Sequence, residues 1–362
     1  MERERLEFVQ MQIITGDCRA VLRSLPPDSV HCCVTSPPYF GLRDYGVAGQ
    51  IGLELTPAEY VAELVAVFRE VRRVLRDDGT LWLNLGDSYA GSWGAQSRAA
   101  GAAGSLDGGN MLSARQIAAH PKRESGTGSL KNTPGLKAKD LMGIPWRVAF
   151  ALQEDGWYLR QDIIWSKPNP MPESVRDRCT KAHEYIFLMS KSPRYFFDAD
   201  AIAEPLAPSS IARLSQPNLA NQKGSARVPG KTNGNMKAVG RGGATAFRGQ
   251  GHFRDGEGPA NRAGREMKDV GTGSTRNKRT VWTVSTKPFK EAHFATFPVD
   301  LIEPCILAGC PGGGTVLDPF GGAGTTGLAA AAAGRRAILI ELNPEYVAIA
   351  RKRLEHVAED AA

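Results

Sequence analysis

The 362-residue chain reads as α/β, a doubly wound, mostly parallel sheet with a loop-rich basic insertion. Three observations predict this. The apolar run Val30-His31-Cys32-Cys33-Val34 is a buried strand that stops at Thr35-Ser36-Pro37-Pro38-Tyr39. Thr315-Val316-Leu317, a glycine turn and the alanine-rich helix Gly327–Ala333 make a strand–turn–helix unit that feeds the strand Arg336–Glu341. Between these two units, helical and strand-like segments alternate, as a sheet covered on both faces requires.

The remaining elements follow in order. Pro57 to Arg76 has helical periodicity through Tyr60, Leu64, Val67, Phe68, Val71 and Leu75, and Asp77-Asp78-Gly79 ends it. Strands are expected at 80–85, 160–165 and 184–189. Trp165-Ser166-Lys167-Pro168-Asn169-Pro170 closes one of them with a second proline-rich turn. Val299 to Leu307 is a helix, and Asn343-Pro344-Glu345-Tyr346 opens the last one.

The two strand-ending turns carry chemistry. Proline has no backbone N–H and a fixed φ, so the Ser36–Tyr39 turn keeps its carbonyls out of a helix. Ser36 Oγ and the Pro37 carbonyl can accept from an N–H group, while Tyr39 offers a flat face to a planar ring. Such a pocket suits the exocyclic amine of a nucleobase. The string alone equally fits a plain turn with an aromatic packed on it.

The second turn, Asp318-Pro319-Phe320-Gly321-Gly322-Ala323-Gly324-Thr325-Thr326, brings backbone close to a ligand. Asp318 would repel a pyrophosphate but suits an ammonium, and Glu341 suits ribose hydroxyls. Adenosine joined to a cationic amino acid fits both, which points to S-adenosylmethionine.

With both motifs together, the chain resembles the amino-group DNA methyltransferases that act on adenine N6 or cytosine N4. The pocket motif precedes the glycine motif, as in the circularly permuted β class. The resemblance covers residues 12–90, 141–200 and 281–355. It implies a Rossmann-like S-adenosylmethionine-dependent fold, with Ser36, Pro37, Pro38 and Tyr39 as catalytic residues. It assigns the cofactor to Asp17, Phe294, Thr296, Asp318, Phe320, Gly322, Gly324, Thr325 and Glu341, with Asp17 on the adenine. Phe294 and Thr296 belong to His293-Phe294-Ala295-Thr296-Phe297-Pro298, which would line the methionine end. Trp165 is either a second wall of the base pocket or a core residue.

The expected organisation has five stretches. Residues 1–90 and 141–205 form the catalytic half, split by a flexible Gly/Ala-rich loop over 91–140. Residues 206–280 form a basic target-recognition insertion, and 281–362 bind S-adenosylmethionine. The insertion holds 14 Lys or Arg against 4 Asp or Glu, a net of +10 in a chain whose total is +7. The rest of the chain is therefore slightly acidic, and the excess cation points at a phosphate polymer, here double-stranded DNA.

Cysteine usage and hydropathy set the remaining bounds. Six cysteines show no paired C-x-x-C spacing, and Cys179 and His183 have no second ligand pair, so no metal is expected. Reduced thiols, with no signal peptide or membrane span, lead to a cytoplasmic expectation.

The expected reaction is direct methyl transfer to a flipped base, cytosine N4 favoured over adenine N6, without a covalent intermediate. Methylation at cytosine C5 needs a cysteine nucleophile, and Pro304-Cys305 lies inside a helix away from the pocket. RNA or protein amines are alternative substrates, and a catalytically silent DNA-binding module is the reading from another class. The resemblance is compatible with a companion restriction endonuclease and with a homodimer, and it specifies no recognition sequence.

Overall fold

The computed structural model describes residues 11–42, 45–90, 136–214, 275–287 and 297–360. The chain divides into two compact units, Met1–Asp198 with Thr280–Ala362, and Ala199–Arg279.

The first unit is organised by an eight-stranded sheet. Its strands are β1 (Met11–Thr15), β2 (Val30–Thr35), β3 (Leu75–Leu85), β4 (Tyr158–Ser166), β5 (His183–Ser190), β8 (Val281–Thr283), β9 (Thr315–Asp318) and β10 (Arg336–Glu341). The order across the sheet is β1-β10-β9-β2-β3-β5-β4-β8. All pairs are parallel except those of β5, which runs antiparallel to β3 and β4. A loop, not a crossover helix, joins β4 to β5, as suits an antiparallel pair.

The helices of this unit are α1 (Cys18–Ser24), α2 (Pro57–Val74), α3 (Ile144–Glu154), α5 (Val299–Gly309), α6 (Thr325–Ala332) and α7 (Pro344–Asp360). α2 begins where the sequence says it should. Thr56 and Glu59 form a reciprocal capping box and Pro57 opens the first turn. Its buried stripe includes Tyr60, Leu64, Val67, Phe68 and Val71, the expected apolar face.

The end of α2 differs from expectation. Leu75 already has extended backbone and pairs with Val30, so β3 starts at once. The register then jumps from Val30↔Leu75 to Cys32↔Thr80. Asp77-Asp78-Gly79 is thus an irregularity carried inside the strand, the device that sheets use to absorb extra residues.

Connectivity explains where the site must lie. From β9 the chain winds through α6 to β10, on one side of β9; from β2 it winds through α2 to β3, on the other. The winding direction reverses between β9 and β2, and ligands of open α/β sheets bind outside the strand ends at that reversal.

In the second unit, β6 (Glu204–Pro205) pairs antiparallel with β7 (Thr275–Arg276), and α4 spans Pro208–Leu214. Glu204 pairs with Arg276 at 3.5 Å and Lys278 at 3.6 Å. Most of the 206–280 insertion, and residues 91–135 of the expected loop, lie outside the described residues. The flanks of that loop are stitched together: Ala90 N donates to Asp140 O at 2.8 Å, and Met142 N to Ser88 O at 2.9 Å. Among the described residues no helix is long and apolar enough to cross a membrane.

Candidate active site at the strand reversal

β2 is buried almost throughout and delivers Thr35, wholly buried, to its carboxyl end. The Ser36–Tyr39 turn is then pinned from α2, where the Tyr60 hydroxyl donates to the Pro38 carbonyl at 2.8 Å. Among the described residues no donor reaches the Pro37 carbonyl. One acceptor of the turn is therefore committed to the scaffold while its neighbour, on the buried Pro37, is not, with Ser36 half-buried beside it.

Tyr39 is held by its hydroxyl. It donates to Glu184 Oε2 at 2.7 Å, with Asn84 Oδ1 3.2 Å away, and accepts from Ser36 Oγ at 3.5 Å. Burial and the neighbouring Glu184 carboxylate raise the phenol well above its usual range, so it stays protonated. The ring lies against the Gly86 backbone, where a Cβ would come within 2.5 Å of Cε2.

Four residues that the sequence alone does not single out, Asn84, Lys167, Lys181 and Glu184, complete this group. Asn84 Nδ2 donates to Tyr185 O at 3.0 Å, which fixes its amide orientation. Lys167 forms an ion pair with Glu184. Lys181 donates to the Asp87 carbonyl, and burial lowers its pKa. Glu184 reaches Tyr39 only because β5 is antiparallel to β3, opposing Leu85 with Tyr185. A charged residue opening an apolar strand is the one available hint.

The glycine turn follows β9. Asp318 is 1 % exposed, and both its oxygens are taken: Oδ1 by Thr35 Oγ1 at 2.6 Å and Phe320 N at 3.0 Å, Oδ2 by Thr326 Oγ1 at 2.6 Å. Burial pushes its pKa up to about 6 against the opposing effect of these donors. The carboxylate is an internal strut that shapes the turn, and the turn's backbone is what faces outward.

Gly322 and Gly324 both have positive φ, +50° and +81°, which favours glycine. A Cβ at Gly322 would meet only Phe320 O, at 3.9 Å, so the turn leaves an open cradle there. At Gly324 a Cβ would crowd Ala350 at 3.0 Å. Glu341, at the end of β10, accepts from Gly322 N and Asn343 N, each at 2.8 Å, and stays half-buried. Burial raises its pKa. Thr325 is buried, and Arg353 donates to its hydroxyl at 3.2 Å.

Asp17 caps α1 through Arg19 N at 2.8 Å and is paired with the Arg19 guanidinium at 2.6 Å, which holds its pKa below the usual carboxylate range. It sits next to the Glu341 strand end, since Gly16 N donates to Glu341 O at 2.9 Å. Phe294 and Thr296 lie outside the described residues.

Trp165 lies buried on β4. It is 4 % exposed and its indole N–H donates to Val284 O at 2.8 Å, with Lys167 Nζ 4.2 Å from the ring centre. Cys305 is wholly buried within α5. Among the described residues no cluster of His, Cys, Asp or Glu could hold a metal ion.

The site can thus present hydrogen-bond acceptors and a tethered aromatic beside a glycine cradle closed by an acid. Comparisons with known proteins place the chain in a family. The chain is 43 % identical over 353 residues to the type II methyltransferase M.Cfr9I of Citrobacter freundii, covering 97 % of this chain and 90 % of that protein. Its fold matches PvuII DNA methyltransferase (cytosine-N4-specific) with a TM-score of 0.54 and 16 % identity, covering 97 % of this chain and 92 % of that one. It also matches a Thermus thermophilus structure complexed with S-adenosyl-L-methionine, with a TM-score of 0.50, 21 % identity and 96 % of each chain covered. The DNA methylase family model matches residues 30–352, and the chain belongs to that N6/N4 methylase family.

Proposed function

We propose that this DNA methylase moves the methyl group of S-adenosylmethionine to the exocyclic amine of a flipped base in duplex DNA, cytosine N4 in preference to adenine N6. The observation that carries the reading is the junction of the two turns. Thr35, immediately before the Ser36–Tyr39 pocket, is hydrogen-bonded to Asp318, immediately before the glycine turn.

The residues present fit the cofactor. Gly322 leaves room where any other side chain would intrude, and Glu341 keeps a half-buried carboxylate on the adjacent strand for paired hydroxyls. Bound there, S-adenosylmethionine supplies an electrophilic methyl group on a sulfonium. The Phe320–Gly324 backbone would hold its amino-acid end, with Asp17 and Thr325 supporting the cradle's margins.

The chain's own residues do the rest. Ser36 Oγ and the Pro37 carbonyl accept the amine's two hydrogens, which draws the nitrogen lone pair out of ring conjugation. Tyr39, fixed through Glu184 and Asn84, gives the base a flat surface at one angle. Stacking of this kind returns about 1–3 kcal/mol of the cost of extruding the base. Positioning and fixed dipoles then favour in-line transfer, after which the methylated nitrogen sheds its surplus proton to solvent. The preference for cytosine N4 rests on Ser36 as the first pocket residue, which in the β class accompanies that base more often than adenine. The homodimer, the cytoplasmic setting and the companion endonuclease belong to the same proposal.

The test is methyl transfer from labelled S-adenosylmethionine to mixed-sequence duplex DNA, followed by nucleoside mass spectrometry with fragmentation. Label on cytosine N4 supports the full reading, and label on adenine N6 reverses the base. Cofactor binding without transfer to DNA overturns it.

A further inference from the structure

Apart from Lys167 and Lys181 at its stem, the β4–β5 connection, residues 167–182, plays no part in the mechanism above, yet it is built more firmly than a passive loop. Its stem is closed by Lys167 N donating to Ala182 O at 2.8 Å. Asn169 is bound twice to Thr286, at 3.0 and 3.2 Å. Glu173 pairs with Arg178 at 2.6 Å and accepts from Lys181 N at 3.1 Å. Pro168, Pro170 and Pro172 fix φ at alternate positions and remove three donors. All this order displays one large apolar side chain, Met171, at 83 % exposure. The next most exposed large hydrophobic among the described residues, Val281, is at 58 %.

Position gives that display a use. The stem residue Lys167 is paired with Glu184, which holds Tyr39. Met171 is four residues along from Lys167, so the chain keeps its Cα within about 14 Å of the Lys167 Cα. Duplex DNA whose base enters the Tyr39 pocket loses one stacked layer near its rim. An unbranched apolar side chain on a pre-ordered support can fill such a gap without a fresh ordering cost. Arg176, exposed on the same connection, supplies a cation for the flanking phosphates.

We propose that Met171 is an apolar wedge that enters the base stack of duplex DNA where the target nucleotide leaves it. The inference rests on the base-flipping reading of the pocket. A wedge speeds opening of a paired, stacked base. It contributes little once the base is already loose.

The experiment compares M171A and M171L with the wild-type enzyme on two duplexes carrying the site that the wild type methylates. In one the target base is normally paired; in the other its partner nucleotide is abasic. M171A should lose about tenfold in kcat/KM on the paired duplex and stay within about twofold on the opened one, with M171L close to wild type on both. Equal loss on both duplexes, loss on the opened one alone, or no loss overturns the wedge. Thermal melting and cofactor binding of M171A should match the wild type, and a lowered melting point would itself contradict the exposed, unpacked position. A wild type that methylates no duplex site at all would instead overturn the functional reading on which the wedge rests.

Discussion

Thr35 and Asp318 are 283 residues apart in sequence and joined by a 2.6 Å hydrogen bond between two fully buried side chains. They end neighbouring parallel strands from which the chain winds away in opposite directions. One bond therefore sets the spacing between the pocket that takes the amine and the turn that takes the methyl donor. Thr326 and Phe320 supply the carboxylate's other donors, so the same group also fixes the start of α6. The site's geometry is decided beneath its surface.

Thr35→Val keeps shape and removes the donor. The buried carboxylate loses one of its three hydrogen bonds, at a cost of about 1–3 kcal/mol. Urea unfolding should show that loss, and calorimetry should show weaker S-adenosylmethionine binding. Unchanged values for both would mean the strut carries nothing.

Asp318 should also leave a mark on the pH profile of stability. Its folded pKa is about 6 against an ordinary 3.8. Between those values the folded protein keeps a proton that the unfolded chain has released, so this group's contribution falls as pH rises from about 4 to 6. Asp318→Asn removes the titration. The stability of wild type relative to this variant should rise by about 2 kcal/mol between pH 7 and pH 4.5. A difference that does not move with pH would show that burial does not hold the proton.

Part of this architecture is legible in the sequence because its signals are local. The Thr56 capping box announces α2, and the glycines after Asp318 announce a turn needing positive φ at Gly322 and Gly324. What escapes is set by pairing between distant strands. Glu184 lies 145 residues from Tyr39, and only the antiparallel seating of β5 brings them together. Asp318 reads as facing a ligand because nothing local shows that Thr35 will bury it. Asp77-Asp78-Gly79 looks like a helix stop before a new strand, but Leu75 is already in the sheet.

Gly86 and Tyr39 should behave as one unit. A methyl group at Gly86 would press on Cε2 and Cδ2 of a ring whose hydroxyl is tied down at Glu184, so the ring must tilt. Misplacement on that scale costs about 10–100-fold in transfer rate. Gly86→Ala should show this with cofactor affinity within about twofold of wild type. In a Tyr39→Ala background, Gly86→Ala should add little, because the clash has lost its object. Additive losses would place the effect of Gly86 elsewhere.

Trp165 separates a core role from a binding role. As a pocket wall it would govern KM for DNA and leave stability alone. Its burial and its bond to Val284 O predict the reverse. Trp165→Phe keeps an aromatic ring but deprives a carbonyl of its donor, for about 1–3 kcal/mol. It also weakens the cationic contact with Lys167, which is shared with Glu184 and so with the Tyr39 tether. The expected variant melts earlier and, assayed well below its melting point, has a KM for DNA within about twofold of wild type. A raised KM at unchanged melting temperature would return Trp165 to the pocket and require the indole to leave its place between β4 and β8.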